Sequence, residues 1–268
     1  MSVSIRELAD IEDLRELAEL FAVVWGRPGE PPVNSDVLKA LAHSGNYISG
    51  AYVDGRLVGG VVGWFGGVPP HELHMHSHIL GVLGGSAAHG VGFELKQHQR
   101  RWCLAREVRV MEWTTDPLVR RNAYFNLTKL GAHAPEYLVN FYGEMSDEIN
   151  VGEESDRLLI RWRLDSESVE GAAGGHAHEP DVEGLLRDGA AVVLSAGDRG
   201  EPQVTEASAR VLLCQVPDDI VALRRSDPPL ARAWRMTLRK AFTDALAAGY
   251  EVSGATRSGW YVLETVAN

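Results

Sequence analysis

A strand pattern that runs directly into a glycine-rich turn and then into a helix is the feature that most constrains the fold of this chain. Alternating residues from Leu73 to Leu83 predict a strand, the glycines Gly84, Gly85, Gly90 and Gly92 follow, and a helical pattern continues to Arg106. Such a turn leaves backbone N–H groups free at the start of a helix, where the helix dipole favours negative charge. The segment therefore predicts a pyrophosphate site, and a purely structural turn is the alternative.

The charge and cysteine content of the chain limit its partners. The formal net charge is −11 over 268 residues, whereas nucleic acids and anionic membranes favour proteins with clustered Lys and Arg. We therefore expect neither as a main partner. The two cysteines, Cys103 and Cys214, have no disulfide or zinc spacing. The charged start of the sequence and the lack of an apolar run of ~18 residues lead us to expect a cytoplasmic protein without a membrane span.

Hydrophobic periodicity predicts an α+β chain with a mixed sheet. A strand at Val3–Leu8 and a helix at Ile11–Val24 precede a hairpin centred on Asp54-Gly55. After the glycine-rich segment, Val108–Thr114 predicts a strand and Pro117–Lys129 a helix, which Gly131 ends.

The chain is predicted to contain two domains. Gly171–Asp181 has few large apolar residues and predicts an exposed linker. Strand and helix patterns of a second α/β unit surround it. We therefore expect one domain at 1–150 and a second, smaller one at 151–268.

Three histidines are the first candidates for chemistry. His74, His76 and His78 recur at period two, which places them on one face of the predicted strand. Histidine is the side chain best suited to accept a proton near neutral pH. A solvent-facing polar strand and a metal site are the alternatives, but no carboxylate or cysteine has a spacing that would complete a metal site.

Two carboxylates near the end of the next strand are alternative bases. Glu112 is also suited to a half-buried structural role. Asp116 immediately precedes Pro117, so it is also suited to the N-cap of the following helix.

Two segments resemble the acyl-CoA motifs of the GNAT superfamily of N-acetyltransferases. Val82–Gly92 (VLGGSAAHGVG) resembles the motif Arg or Gln, two residues, Gly, one residue, Gly or Ala. Asn122–Gly131 (NAYFNLTKLG) resembles the next motif of that superfamily. The motifs occur in the expected order, and the match covers about residues 3–143. The resemblance implies a GNAT-like central mixed sheet flanked by helices, with the second unit a reduced GNAT-like half.

The resemblance also implies roles for individual residues. The pair His76 and His78 is similar to the paired histidines that arylalkylamine N-acetyltransferases carry on the corresponding strand, which makes them the preferred bases. A strand amide near Leu83 would hold the carbonyl oxygen of the acyl group. The implied acyl-CoA-binding residues are Leu80, Val82, Leu83, Gly85, Ala87, Ala88, His89, Gly90, Val91, Gly92, Asn122, Phe125 and Lys129.

Two positions depart from the family pattern. Ala87 stands where the first motif has Arg or Gln, so backbone amides would bind most of the phosphate. Leu127 stands where many members carry the tyrosine that protonates the departing thiolate. Tyr124, Asn126 or Tyr142 would replace it, or water would assist the thiolate.

The expected function is transfer of an acetyl or larger acyl group from acyl-CoA to the amine of a small molecule or amino acid, by direct attack on the thioester and without a metal. The C-terminal region would close one side of the acceptor cleft or form a homodimer surface. A non-catalytic acyl-CoA-binding protein and a metal-dependent hydrolase are the alternatives.

Overall fold

The computed structural model of the protein describes residues 3–67, 70–85, 90–143 and 154–265. The described residues up to Trp113 form one compact unit, and those from Thr114 onwards form another. This division differs from the expected boundary at 150/151. The physical reason is strand pairing, because the strand at His133–Leu138 pairs with those at Arg157–Arg163 and Tyr250–Ala255. None of the helices in the described ranges has the length and apolar character that a membrane crossing requires.

The first unit contains five strands and three helices among the described residues. In chain order they are β1 (Val3–Glu7), α1 (Ile11–Val24), α2 (Ser35–His43), β2 (Tyr47–Val53), β3 (Arg56–Gly66), β4 (His74–Val82), α3 (Val91–Leu104) and β5 (Val110–Thr115). The last two residues of β5 belong to the second unit. The strand and helix predicted on either side of the glycine-rich turn are thus confirmed.

The sheet of the first unit is mixed. Its order is β1-β2-β3-β4-β5, antiparallel except for the parallel pair β4 and β5. The predicted hairpin joins β2 to β3, and both Asp54 (φ 49°) and Gly55 (φ 77°) have the positive φ of a tight hairpin turn. Apolar side chains of α1, among them Leu14, Leu17 and Phe21, pack in the same core as Val62 and Ile79 of the sheet.

The second unit has its own mixed sheet. Its further elements are α4 (Arg120–Ala123), a π-helix (Tyr124–Lys129), β6 (His133–Leu138), β7 (Arg157–Arg163), α5 (Glu167–Ala173), α6 (Val182–Arg187), β8 (Ala191–Ala196), β9 (Pro202–Val204), β10 (Val211–Gln215), α7 (Ile220–Ser226), α8 (Pro228–Ala247), β11 (Tyr250–Ala255) and β12 (Trp260–Thr265). The strand order is β7-β6-β11-β12-β10-β8-β9, with β8 and β10 parallel. The predicted fold class, a mixed sheet flanked by helices, is confirmed.

Two local predictions in this unit were only partly right. The helix expected from Pro117 begins at Arg120 and becomes π-helical at Tyr124, and Gly131 follows it with a φ of 72°. The expected linker Gly171–Asp181 is partly helical, because α5 extends to Ala173. Val169 and Ala172 of α5 are buried, and this packing stabilises a helix that its small residues alone did not indicate.

Candidate functional site

The parallel strands β4 and β5 separate beside the histidines. Met75 pairs with Met111 and His76 with Glu112, and no further pair joins the two strands among the described residues. β4 nevertheless continues to Val82. From Ser77 onwards, the edge of β4 that faces β5 therefore has backbone groups without a strand partner in the first unit. Such an edge can hydrogen-bond the amides of an extended ligand.

A bulge in β4 decides which side chains share a face. Val62 pairs with Ile79, whereas the adjacent Gly63 pairs with Ser77, so His78 is the extra residue. Beyond the bulge, Leu80 and Val82 face α3, because a Cβ on Gly92 of that helix would lie 3.7 Å from Leu80 Cδ2 and 3.9 Å from Val82 Cγ2. The residue between them, Gly81, faces Phe21 of α1.

The three histidines lie in one cluster on β4, together with a tryptophan and a carboxylate. The ring of Trp64 is centred 5.1 Å from that of His76 and 4.5 Å from that of His78. The two imidazole centroids are 5.6 Å apart. His74 Nε2 is 3.6 Å from Glu112 Oε2. The structure thus brings together the first-choice bases and the alternative base Glu112.

Both candidate bases are neutral at pH 7. Burial lowers the pKa of His76 to about 4, and the neighbouring His78 and His74 act in the same direction. His78 is partly exposed, but its ring lies against Trp64, and this desolvation lowers its pKa too. Neutral imidazoles can accept a proton, although the low pKa of His76 makes it a weak base.

The glycine-rich turn ends in an exposed helix N-terminus. Gly90 precedes α3 with a φ of 83° and provides no capping side chain. The first intrahelical bond recorded there joins Glu94 N–H to the Gly90 carbonyl. The N–H groups of Val91, Gly92 and Phe93 therefore have no helical partner. Gly85 also has a positive φ, of 123°, whereas Ala87, Ala88 and His89 lie outside the described residues.

The strand pairing indicates which amide near Leu83 could hold the carbonyl oxygen. Leu83 N–H donates to the Val58 carbonyl of the neighbouring segment at 2.8 Å, so it is engaged within the sheet. Because successive N–H groups of a strand point to opposite edges, the N–H of Val82 points to the edge from which β5 has separated. Among the amides near Leu83, that of Val82 is therefore the candidate donor.

The candidates from the second motif all lie in the second unit. Asn122 and Lys129 are exposed, Tyr124 and Phe125 are half-buried, and Asn126 is buried. Tyr124 lies under the guanidinium of Arg257, 4.9 Å from the ring centroid. The π-helix is a form that recurs at functional sites. Leu127, at the position of the family's tyrosine, is buried and apolar.

Two further candidates are engaged in structural contacts. Asp116 accepts from Leu118 N–H, as an N-cap would, but it also contacts Arg224 Nη2 at 2.6 Å and Arg235 Nη2 at 3.1 Å. Burial acts to raise its pKa, but the two guanidiniums hold it below the usual range. Asp116 is therefore an ionised structural residue. Tyr142 Oη shares a 3.0 Å hydrogen bond with Thr114 Oγ1.

The sequence analysis did not predict the role of Trp64 or the polar contacts of Ser77 on the other face of β4. On the α3 face, Lys96 Nζ donates to Ser77 Oγ at 2.8 Å, and Ser77 Oγ donates to Gln99 Oε1 at 2.8 Å. The alternation of Ser77 with the histidines placed it on the opposite face, but the spacing in α3 did not show which polar residues it meets. In the described part of the chain, no His, Cys, Asp and Glu side chains form a group that could hold a metal.

Comparisons with known proteins find a likeness of architecture. No protein-family model and no curated protein matches this chain. An acetyltransferase of the GNAT family from Streptococcus pneumoniae aligns with a TM-score of 0.49 and 14% identity over 60% of this chain and 98% of its own. An N-acetyltransferase from Staphylococcus aureus Mu50 gives 0.48 and 15% over 62% and 100%. Arabidopsis thaliana Naa50, in complex with the bisubstrate analogue CoA-Ac-MVNAL, gives 0.46 and 19% over 60% and 98%.

Proposed function

We propose that this chain is an acyl-CoA-dependent N-acyltransferase that transfers an acetyl or larger acyl group to the amine of a small molecule or amino acid. The observation that carries the proposal is the course of β4. It bears the histidine cluster, separates from β5 beside that cluster, and continues with an unpaired edge to the glycine-rich turn. One continuous segment thus carries a strand edge without a partner strand in the first unit, a helix N-terminus of the kind that can bind an anion, and a candidate proton acceptor.

Acyl-CoA would bind along β4 from the turn towards the histidines. The N–H groups of Val91, Gly92 and Phe93, which have no partner within the helix, and the dipole of α3 would bind the pyrophosphate. The N–H of Val82 would hold the thioester carbonyl oxygen, on which negative charge develops as the amine attacks. The formal charge of −11 makes such local dipoles more important, since the chain as a whole repels an anionic ligand.

The amine would lose its proton towards the histidine cluster. The amine nitrogen would form a bond to the thioester carbon, the C–S bond would break, and the thiolate of CoA would leave. His76 or His78, neutral at pH 7, would take the proton directly or through water. Because the pKa of His76 is about 4, its titration would not explain a rate increase between pH 6 and 8. Because the pKa of His78 is also lowered from 6.5, such an increase would come from the amine itself.

A second candidate function is acyl-CoA binding without transfer. It is favoured by Leu127, which is buried where the family carries its proton donor. Tyr124 and Asn126 remain candidate donors from the sequence, whereas Tyr142 already shares its hydroxyl with Thr114. The two functions differ in whether thiol is released.

Thermal stabilisation by CoA tests the binding step. A ligand bound only by the folded state adds about 2.7 kcal/mol at 100 times its Kd. Gly90→Val should abolish the shift by blocking approach of the phosphates. Gly45→Val is the matched control, because Gly45 (φ 79°) and Gly90 (φ 83°) have similar positive φ values and neither has an atom within 4 Å of an added Cβ. A Gly90→Val protein that binds CoA like the Gly45→Val protein would place the phosphates elsewhere.

Thiol release from several acyl-CoAs with pooled amines and amino acids tests the transfer step. Removal of the base, as His76→Gln or His78→Gln, should lower the rate about a hundredfold or more and leave the CoA-induced thermal shift intact. His43→Gln, at an exposed position in α2, is the control. Full turnover in the His76→Gln/His78→Gln double variant would show that neither histidine acts as the base. Glu112 would then be the next candidate for the base.

A further inference from the structure

Lys96 is buried in the first unit, and none of its polar contacts with the described residues is with a carboxylate. Only 3% of its surface is exposed. Its Nζ is 2.8 Å from Ser77 Oγ, 3.7 Å from Met111 Sδ and 3.5 Å from the centroid of the Trp113 ring. These contacts, made within the described residues, include a hydroxyl, a thioether and an indole but no acidic group. Burial lowers the pKa of Lys96 well below its usual range.

Such a lysine is costly to retain for stability alone. Burying an amine that lacks an ionic partner is unfavourable whether the group stays charged or gives up its proton. An unbranched apolar side chain such as methionine would fill the same space without that cost. The contacts of Lys96 therefore point to a role other than stability.

The residue that Lys96 holds is at the bulge of β4. Ser77 lies between His76 and His78 in the chain and donates to Gln99 Oε1, so two residues of α3 bind its hydroxyl. Gly63, its partner on β3, leaves room for this contact, because a Cβ there would lie 2.7 Å from Gln99 Nε2 and 2.8 Å from the His76 carbonyl. The bulge, the glycine and the polar contact thus coincide.

The neighbouring strand does little to hold the bulge in place. β3 has the sequence RLVGGVVGWFG, and glycine-rich strands specify their register weakly. A shift of the bulge by one residue would turn His78 or its neighbours to the other face of the sheet. A hydrogen bond to the side chain of one particular residue opposes such a shift, because only Ser77 carries that hydroxyl.

We infer that Lys96 and Ser77 are positioning residues, which fix the bulge of β4 and so keep His76 and His78 beside Trp64 for proton transfer. The inference rests on the proposed function for its effect on rate. Its effect on the histidines themselves does not depend on that function.

The test combines the histidine signals with the rate. In the NMR spectrum of protein labelled with ¹⁵N-histidine, Lys96→Met and Ser77→Ala should change the chemical shifts of the ring nitrogens of His76 and His78 at pH 7. They should also lower kcat by about tenfold to a hundredfold, since small displacements of reacting groups cost that much, with KM for acyl-CoA nearly unchanged. Gln97→Met is the matched control, because Gln97 is the adjacent buried polar residue of α3, and it should change neither signals nor rate.

Each outcome decides the inference. Unmoved histidine signals in Lys96→Met and Ser77→Ala overturn it, as does an unchanged kcat. If the wild-type protein releases no thiol but the signals move, the transfer function fails and the positioning role stands. Should Lys96→Met not fold, Ser77→Ala, which removes a single oxygen atom, gives the decision.

Discussion

The two units bury basic side chains in different ways. In the second unit, Arg224 and Arg235 both contact the buried carboxylate of Asp116. In the first, the contacts of Lys96 within the described residues are with a hydroxyl, a thioether and an indole, all of them neutral. Removing one partner of a buried ion pair with good geometry strongly lowers the free energy of unfolding. A buried amine without an ionic partner already lowers it in the wild-type protein. The ion pairs of Asp116 therefore have a structural role, whereas we assign Lys96 to positioning the histidines of the candidate site.

The largest effect is expected from Asp116→Asn. This change removes the carboxylate that both buried guanidiniums contact, and it should lower the free energy of unfolding by about 3–5 kcal/mol. Urea denaturation measures it. The control is Asp218→Asn, since Asp218 pairs with Arg120 but has a side chain that is 87% exposed, and its loss should cost less than about 1 kcal/mol. Equal losses in the two variants would contradict the structural role of the buried ion pairs.

A smaller change of the opposite sign is expected for Lys96→Met. Replacing a buried amine by an apolar side chain of similar length should raise the free energy of unfolding by about 1–2 kcal/mol. The same denaturation series measures it. A marked loss of stability would mean that the Ser77 and Trp113 contacts contribute more than the burial of the amine costs, and the contrast between the units would then disappear.

A third effect is the dependence of stability on pH, which differs between the two units near pH 5. The pKa of His76 is about 4 in the folded chain against 6.5 in the unfolded one, so the unfolded chain binds more protons between these values. Stability should therefore fall as pH decreases from 6.5 to 4, and His76→Gln should remove part of this slope. Asp116 has a lowered pKa, so its contribution is lost only below its usual value of 3.8. Thermal melts at pH 7.5 and 5 compare the variants, and identical slopes for wild type and His76→Gln would show that His76 titrates normally.

Much of the first unit was predictable because its signals are local. The Asp54-Gly55 turn requires positive φ at two positions, which these residues adopt readily. The histidines share a face because side chains alternate along a strand. The glycines before α3 and the helical spacing after them likewise depend only on neighbouring residues.

Other features of the candidate site depended on partners distant in sequence. The sequence indicated only a strand amide near Leu83, whereas the pairing with β3 engages the Leu83 amide and leaves that of Val82 at the open edge. The sequence made Asp116 an alternative base, but in the structure its carboxylate contacts Arg224, which is 108 residues away. Local spacing carries no information about such contacts.

What the sequence determined by itself is therefore the order of elements, the glycine-rich turn and the histidine face, since each follows from backbone geometry over a few residues. The tertiary structure decided the bulge at His78, the separation of β4 from β5, the burial of Lys96 and the unit to which residues 114–143 belong. The reason is that strand register and burial are set by the surfaces that pack together. A shift of one residue in that packing changes which side chain meets which without changing the local pattern.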